Sequence, residues 1–247
     1  MNNRMAIVLA AGKGTRMKSD LPKVLCEAGG RPMVQYVLDS LRDAGVSRIV
    51  TVVGYRADLV KSALSGQQDL EFAEQTEQLG TGHAVQMCRK QLVDHEGPVL
   101  VVTGDSPLTQ ASSIKALFEE YDTSQPACIL GTLHKENPTG LGRIVRDEDG
   151  RFVKIVEEKD ATPDEKQITE VNMSTYVFDA SQLVNALDNL KNDNRQQEYY
   201  LTDCPGILKA EGKDVRALPV LLPCEALSVN TVDDLAVVEA ELRKMGR

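Results

Sequence analysis

Short, continuously apolar runs alternate with helix-like patterns through the first half of the chain. Residues 5–10, 48–53, 70–73 and 99–102 have the length and apolar character of strands that are buried on both faces of a sheet. Apolar residues within 33–41 recur at helical spacing. This alternation predicts an α/β fold with a Rossmann-like, mixed but mainly parallel sheet and helices on both of its faces.

The second half of the chain changes character. Residues 144–156 alternate around an Asp-Glu-Asp-Gly turn, as in a β-hairpin, and 171–178 is a strand expected to pair beside it. Periodicity predicts further elements: one helix from near Gly82 through Leu92, helices over 181–190, 198–211 and 232–245, and an extended stretch over 215–222. We therefore expect a small β-rich lobe inserted across the cleft of the sheet.

The overall composition narrows the class of partner. The chain has 247 residues, of which 42% are hydrophobic, which is ample for a proper core. A net charge of −9 argues against a nucleic-acid or anionic-membrane surface, although it allows a local basic pocket for a small anion. No apolar run reaches membrane-spanning length. We expect neither nucleic acid nor a membrane as a partner.

The cysteines indicate the compartment. The five residues are odd in number, widely scattered and never arranged as Cys-x-x-Cys, so neither a disulfide framework nor a zinc site is indicated. The amino terminus also lacks the apolar segment of a signal peptide. These features predict buried cysteines and a reducing, cytoplasmic location. The sequence leaves the oligomeric state open, with a homo-oligomer among the alternatives.

The loop after the first strand has the composition of a phosphate-binding loop. Gly12 and Gly14 allow positive φ and close approach of the backbone, while Arg16 and Lys23 supply positive charge, with Pro22 fixing the direction of Lys23. The chain has no third small residue here, as the dinucleotide-binding fingerprint requires, and no Gly-Lys-Ser/Thr, as the Walker motif requires. Neither motif is therefore indicated. Single glycines are more often turn residues, but this combination favours phosphate binding.

Asp105 follows the 99–102 strand directly, within Thr-Gly-Asp-Ser-Pro-Leu. A carboxylate at the carboxyl end of a strand, beside a glycine, suits Mg²⁺, which takes few protein oxygens and fills its shell with water and phosphate. Gly, Asp, Ser and Pro also favour an ordinary turn. The pattern alone leaves both interpretations open.

Two segments, LAAGKGTRM from Leu9 and LPKVL from Leu21, resemble the signature of the sugar-1-phosphate nucleotidyltransferase family. The remainder of the chain is most similar to one branch, the uridyltransferase domains of bacterial N-acetylglucosamine-1-phosphate uridyltransferases. The resemblance implies a Mg²⁺-dependent transfer from UTP to N-acetylglucosamine 1-phosphate, giving UDP-N-acetylglucosamine and pyrophosphate by direct in-line attack. Members of the family often carry a left-handed β-helix acetyltransferase domain, for which this chain has no hexapeptide repeat.

The resemblance also implies an organisation and a set of site residues. The chain would be one nucleotidyltransferase domain, with a nucleotide-binding half over 1–110, a sugar-binding half over 111–230 and a C-terminal helix over 231–247. The implied catalytic residues are Arg16, Lys23 and Asp105. The implied nucleotide-binding residues are Leu9, Ala10, Ala11, Gly12, Gly14, Gln75, Gln78, Gly80 and Thr81. The implied sugar-binding residues are Gly142, Glu157 and Asn172, and the implied Mg²⁺ ligands are Asp105 and Asn230.

Several of these residues have plainer interpretations. Asn230 suits the N-cap of the 232–245 helix as well as a metal site. Composition alone favours a solvated, charged strand end for Glu157 and its neighbours Glu158 and Lys159. His83, beside glycines at a helix start, is interpreted as a supporting residue and not as a general base. The glutamine amide of Gln75, which offers both a donor and an acceptor, suits the edge of uracil.

The chain departs from the family pattern at three places. Thr103 and Leu141 stand where the family usually has aromatic residues, and Met173-Ser174 stands where it has Thr-Gly. Most of these differences fall on the sugar side, so glucose 1-phosphate or another sugar 1-phosphate is the alternative substrate. A catalytically silent nucleotide-sugar-binding subunit is an alternative of a different class.

Overall fold

The computed structural model describes residues 3–14, 17, 19–229 and 231–247. Within these residues, strands and helices largely alternate up to α5, whereas β7 to β10 follow one another without an α-helix between them. The strands are β1 (Met5–Ala10), β2 (Glu27–Ala28), β3 (Arg31–Pro32), β4 (Arg48–Val53), β5 (Leu70–Glu74), β6 (Pro98–Thr103), β7 (Cys128–His134), β8 (Gly142–Arg146), β9 (Phe152–Val156), β10 (Glu170–Asp179) and β11 (Val215–Leu218). The helices are α1 (Met33–Asp43), α2 (Ala57–Ala63), α3 (Thr81–Gln86), α4 (Arg89–Val93), α5 (Ala111–Ser124), α6 (Ala180–Asp188), α7 (Cys204–Ala210) and α8 (Val232–Lys244).

The central sheet has the strand order β11-β7-β10-β6-β1-β4-β5, and β8 and β9 extend it beside β10. Six of the seven strands on the central path point the same way, whereas β10 runs antiparallel to its neighbours β6 and β7. The chain leaves β1 for β4 and β5 on one side and returns to β6 on the other. This change of direction opens a crevice at the carboxyl ends of β1 and β6.

Both faces of the sheet are buried under helices. In β1, Met5 and Ile7 point into the core that α3, α4, α6 and α7 cover, whereas Ala6, Val8 and Ala10 point into the core under α1, α2 and α5. Full burial of one such Ile or Val stabilises the fold by roughly 1.5–3 kcal/mol relative to exposure. The predicted fold class, a mainly parallel sheet covered on both faces, is confirmed.

The predicted hairpin is also confirmed. β8 and β9 pair antiparallel across a turn closed by Gly150, which has a φ of 75°. The open end of the hairpin joins the sheet, because Gly142 of β8 pairs with Asn172 of β10. The lobe is therefore continuous with the sheet.

Two helix predictions are wrong. The helix expected over 198–211 begins only at Cys204, because the backbone of Tyr199 instead hydrogen-bonds to the loop at 79–82 and Pro205 opens the first turn. The helix from Gly82 divides into α3 and α4, with the break at Cys88, whose ψ of 10° is not helical. The extended stretch over 215–222 is shorter than expected, since β11 ends at Leu218.

The C-terminal helix α8 has its own cap. The Thr231 hydroxyl accepts a hydrogen bond from the Asp234 amide at 3.2 Å, and the Asp234 carboxylate accepts one from the Thr231 amide at 2.8 Å. This reciprocal capping box satisfies two backbone donors at the helix start. The N-cap function considered for Asn230 therefore belongs to Thr231.

Four of the five cysteines are buried, as the sequence predicts. Cys26, Cys88, Cys128 and Cys204 are buried and Cys224 is half-buried, all with free thiols. Across the described ranges, none of the helices combines the length and apolar character that crossing a bilayer requires.

Candidate active site

A cleft of about 280 Å³ opens at the carboxyl ends of β1 and β6. The loop after β1, the loop after β5 and the residues that follow β6 form its walls. Seven of the nine residues expected to bind nucleotide line it: Leu9, Ala11, Gly12, Gln75, Gln78, Gly80 and Thr81. Lys23, Thr103, Asp105 and Glu198 complete its polar lining. The structure thus brings residues of the first half of the chain together with Glu198 around one cavity.

The two other residues expected to bind nucleotide, Ala10 and Gly14, are not part of this lining. The Ala10 side chain is buried in the core of the sheet. Gly14 has a φ of 64°, and a Cβ there would lie 2.6 Å from Cβ of Lys23. Any side chain at position 14 would displace Lys23. Gly12 does not have a positive φ, so only one of the two glycines uses this conformational freedom.

Lys23 and Asp105 form an ion pair at the centre of the cleft. Lys23 Nζ lies 2.6 Å from Asp105 Oδ2, and the two side chains are 16% and 27% exposed. Lys23 starts a single 3₁₀ turn after Pro22, while Asp105 follows the end of β6. Because β1 and β6 are adjacent parallel strands, the loops that follow them converge on this point. The pair therefore places a cation and a carboxylate within reach of the same ligand.

The far end of the cleft is held rigidly around Gln75. The side chain of Gln75 is buried, and its Nε2 donates to the Gly80 carbonyl at 3.0 Å and lies 3.1 Å from Nδ1 of His83. Gly80 has a φ of 112°, and a Cβ there would lie 2.5 Å from the Tyr199 carbonyl oxygen. The Tyr199 amide donates to the carbonyl of Leu79 at 2.8 Å. These contacts fix the loop that joins β5 to α3.

A second cavity of about 480 Å³ adjoins the first. Lys23, Thr103 and Asp105 line both cavities, so the two meet at the ion pair. The remaining lining residues of the second cavity are mostly polar and, apart from Ser106, come from the second half of the chain: Ser106, Lys135, Thr139, Gly140, Leu141, Asn172, Met173, Ser174, Ser228, Thr231 and Asp234. The arrangement is one cleft in two parts, with opposite charges at the junction.

Of the three residues expected to bind sugar, Asn172 lines the second cavity. Its Nδ2 donates to the hydroxyl of Tyr176 at 2.7 Å, and its Oδ1 accepts from the Ser174 amide at 3.2 Å. Ser174 has a φ of 54°, at the point where the pairing register of β10 shifts. A left-handed serine is strained by about 1–2 kcal/mol, and this bulge turns the Asn172 side chain toward the cavity.

Gly142 and Glu157 lie beside the second cavity, outside its lining. A Cβ on Gly142 would lie 3.7 Å from Oε1 of Glu157, which accepts a hydrogen bond from the Thr202 hydroxyl at 2.9 Å. Burial raises the pKa of Glu157, and the nearby Asp160 carboxylate adds to the rise. Glu157 is half-buried and bonded to Thr202, so it is not a fully solvated strand end, whereas Lys159 of the same charged segment is exposed.

Lys135 is a lining residue that the sequence analysis did not identify. It follows β7 directly, at the same edge of the sheet as Asp105. Its Nζ donates to the Ala226 carbonyl at 3.4 Å, and no carboxylate among the described residues lies within 4.0 Å of it. The apolar run at 128–133, which His134 and Lys135 follow, is the sequence feature that could have predicted a strand ending beside the cleft.

Arg16 and Asn230, expected as a catalytic residue and a metal ligand, lie outside the described residues. Among those that are described, no three His, Cys, Asp or Glu side chains are grouped so as to hold a metal ion. Asp105 nevertheless fits Mg²⁺, because it offers a hard, partly exposed carboxylate at the junction of two cavities. Mg²⁺ commonly uses one or two carboxylates and takes its other ligands from water and phosphate.

Asp203, behind the sugar side of the cleft, is a destabilising carboxylate at neutral pH. Its pKa is raised from 3.8 to about 6, mainly by burial and also by the carboxylates of Glu157, Asp193 and Asp160. Because the folded pKa exceeds the unfolded one, the folded state binds the proton more tightly, and its stability falls as pH rises between these values.

We expect Asp203→Asn to increase the free energy of unfolding by about 1–2 kcal/mol at pH 7.5, allowing for partial exposure. The gain falls to about half at pH 5, where the wild-type carboxyl is mostly protonated. Urea unfolding at both pH values measures this difference. The control is Asn at the exposed Asp164, and an equal effect of the two variants at both pH values contradicts the prediction.

Comparisons with known proteins agree with this geometry. The model of the MobA-like NTP transferase domain matches residues 6–200. The chain is 47% identical over 242 residues to the "Bifunctional protein GlmU" of Exiguobacterium sibiricum, covering 98% of this chain and 54% of that protein. It is 46% identical over 244 residues to the GlmU of Streptococcus suis, covering 99% of this chain and 53% of that protein. The chain thus spans about half the length of the curated relatives it matches.

A solved structure supports the fold independently. A putative glucose-1-phosphate thymidylyltransferase from Bacillus anthracis superimposes with a TM-score of 0.78 over 97% of this chain and 95% of its own, at 18% sequence identity. At that identity the likeness concerns the fold alone. The family match and the sequence relatives confirm that the chain is a nucleotidyltransferase, as the motifs predict. The chain therefore belongs to the family of MobA-like NTP transferase domains, and it is a nucleotidyltransferase of the GlmU type.

Proposed function

We propose that this chain is a uridylyltransferase that converts UTP and N-acetylglucosamine 1-phosphate to UDP-N-acetylglucosamine and pyrophosphate, with Mg²⁺. The observation that carries the proposal is the two-part cleft, whose halves meet at Lys23 and Asp105. A reaction between two phosphorylated substrates requires one place where both phosphate groups are held together. The choice of base and sugar rests on the motifs around Gln75 and Asn172.

In the proposed reaction, a phosphate oxygen of the sugar 1-phosphate attacks the α-phosphorus of UTP. A new P–O bond forms while the bond from the α-phosphorus to the bridging oxygen breaks, and its electron pair leaves with pyrophosphate. The nucleophile is already an anion, so no general base is needed. The protein has to hold two polyanions in line and neutralise charge on the equatorial oxygens.

Lys23 is suited to this work because its side chain lines both halves of the cleft. Arg16, in the same loop, is proposed to add a second positive charge at the triphosphate. Asp105 and Asn230 would hold Mg²⁺, which when bound supplies positive charge to the phosphate oxygens and helps to orient them. Lys135 lies on the sugar side, and its ammonium group, which has no carboxylate of the described residues within 4.0 Å, favours the phosphate of the sugar 1-phosphate.

We expect UTP to be used with a kcat/KM at least about tenfold above that of CTP or GTP, because Gln75 faces the base. Initial rates of pyrophosphate release with each nucleotide, at fixed sugar phosphate and Mg²⁺, measure this preference. Equal use of the three nucleotides would contradict the base assignment while leaving the transferase activity intact.

The same assay tests the proposed function against its alternatives. N-acetylglucosamine 1-phosphate, glucose 1-phosphate and other sugar 1-phosphates are compared with UTP and Mg²⁺. The fastest pyrophosphate release is expected with N-acetylglucosamine 1-phosphate, and a faster reaction with another sugar assigns that substrate instead. Calorimetric binding of the nucleotide sugar without any pyrophosphate release would favour the silent binding subunit.

A further inference from the structure

The amide nitrogen of Gln75 is committed to partners within the protein. Its Nε2 lies 3.0 Å from the Gly80 carbonyl oxygen and 3.1 Å from Nδ1 of His83. A primary amide nitrogen has two hydrogens and no acceptor capacity. Both hydrogens therefore point to these two partners, and neither remains for a ligand.

The hydrogen-bond network assigns the orientation of the amide. The Gly80 carbonyl can only accept, so the reverse orientation would bring Oε1 of Gln75 against another oxygen. The same argument fixes the state of His83. With Nε2 of Gln75 as the donor, Nδ1 of His83 accepts, which assigns the ring proton to its own Nε2.

The carbonyl oxygen of Gln75 is left for a ligand. Oε1 accepts no hydrogen bond from the described residues. It is also not fully buried, so it remains accessible to a ligand. Gln75 is only 3% exposed and lines the nucleotide side of the cleft. The small exposed part of this side chain therefore belongs to an acceptor that faces the cavity.

We propose that His83 is a positioning residue that holds the Gln75 amide with its oxygen toward the base. The proposal rests on the proposed function, in which this end of the cleft takes the base of the nucleotide. Uracil has a donor at N3, which an acceptor oxygen binds, whereas cytosine has an unprotonated acceptor at N3 that the same oxygen repels. A buried mismatch of two acceptors costs about 1–3 kcal/mol.

The frame around these residues is rigid enough for such a role. The backbone N–H of Gln75 donates to the carbonyl of Val53 at 2.8 Å, which ties the residue to the end of β4. His83 lies in the first turn of α3, directly after the loop that is packed against Tyr199. Gln75 and His83 thus come from separate elements whose backbones are each fixed, and the hydrogen bond between their side chains sets the rotation of the amide.

The test compares two variants at His83. His83→Leu removes the acceptor, whereas His83→Asn keeps an acceptor oxygen near the position of Nδ1. The readout is the ratio of kcat/KM for UTP to that for CTP. We expect the ratio to fall about tenfold in His83→Leu, mainly through the KM for UTP, and to stay within about twofold of wild type in His83→Asn. His134→Leu, at an exposed histidine outside both cavities, is the matched control.

A purely structural role for His83 would lower the rates with UTP and CTP equally in both variants, and that result would overturn the proposal. A wild-type protein without activity on any nucleotide would instead refute the proposed function. Nitrogen-15 NMR gives a second measurement that needs no variant, because the chain has only three histidines to assign. The expected tautomer of His83 at pH 7.5 carries its proton on Nε2, and a proton on Nδ1 would also overturn the proposal.

Discussion

Asp105→Asn is expected to lower kcat/KM by at least about 100-fold, which corresponds to about 2.7 kcal/mol of transition-state stabilisation. The substitution keeps the size of the side chain but removes the negative charge that pairs with Lys23 at 2.6 Å and that is proposed to hold Mg²⁺. Steady-state rates of pyrophosphate release, with UTP and the sugar 1-phosphate varied in turn, measure the loss.

The fold of this variant should be unchanged, because the Asp105 side chain is 27% exposed and lies after the end of β6. The matched control is Asp149→Asn, at an exposed carboxylate on the β8–β9 turn, which is expected to keep wild-type rates. Turnover close to wild type in Asp105→Asn would remove this carboxylate from the proposed mechanism.

Lys23→Ala is expected to reduce kcat/KM by a similar factor, at least about 100-fold. The ammonium group lines both halves of the cleft, so its loss removes positive charge from the only place where the two phosphorylated substrates are proposed to meet. We expect the KM values for both substrates to rise, in addition to the fall in kcat.

Two further measurements sharpen this second prediction. Lys115→Ala, at an exposed position on α5, controls for the loss of a lysine and should be without effect. Thermal unfolding should show that Lys23→Ala remains folded, since Asp105 stays in contact with solvent when its partner is removed. A rise in KM for one substrate alone would show that Lys23 serves only one half of the cleft.

The parts of the fold that were predictable are those that local patterns determine. β1 and β4 begin and end as expected, because short apolar runs without polar interruption have few alternatives to a strand buried on both faces. The helix over 198–211 failed for a non-local reason. The amide of Tyr199 bonds to Leu79, some 120 positions earlier, and that partner cannot be inferred from the periodicity of 198–211.

The site was predictable to the extent that it follows strand ends. Lys23 and Asp105 meet because each follows one of two adjacent parallel strands, which the alternating pattern already indicated. Lys135 was missed because the strand before it was not recognised. The hydrogen bond that Glu157 accepts comes from Thr202, which lies in a separate part of the chain, so the local sequence around Glu157 could not predict this contact.

The strand order has a consequence for synthesis of the protein on the ribosome. β6 ends at Thr103, but one of its edges is completed only by β10, which ends at Asp179. During translation of roughly 75 intervening residues, the nascent chain exposes an unsatisfied apolar strand edge, the kind that invites aggregation. If the first hundred residues fold before β10 is synthesised, this edge of β6 stays unpaired until the antiparallel strand β10 covers it.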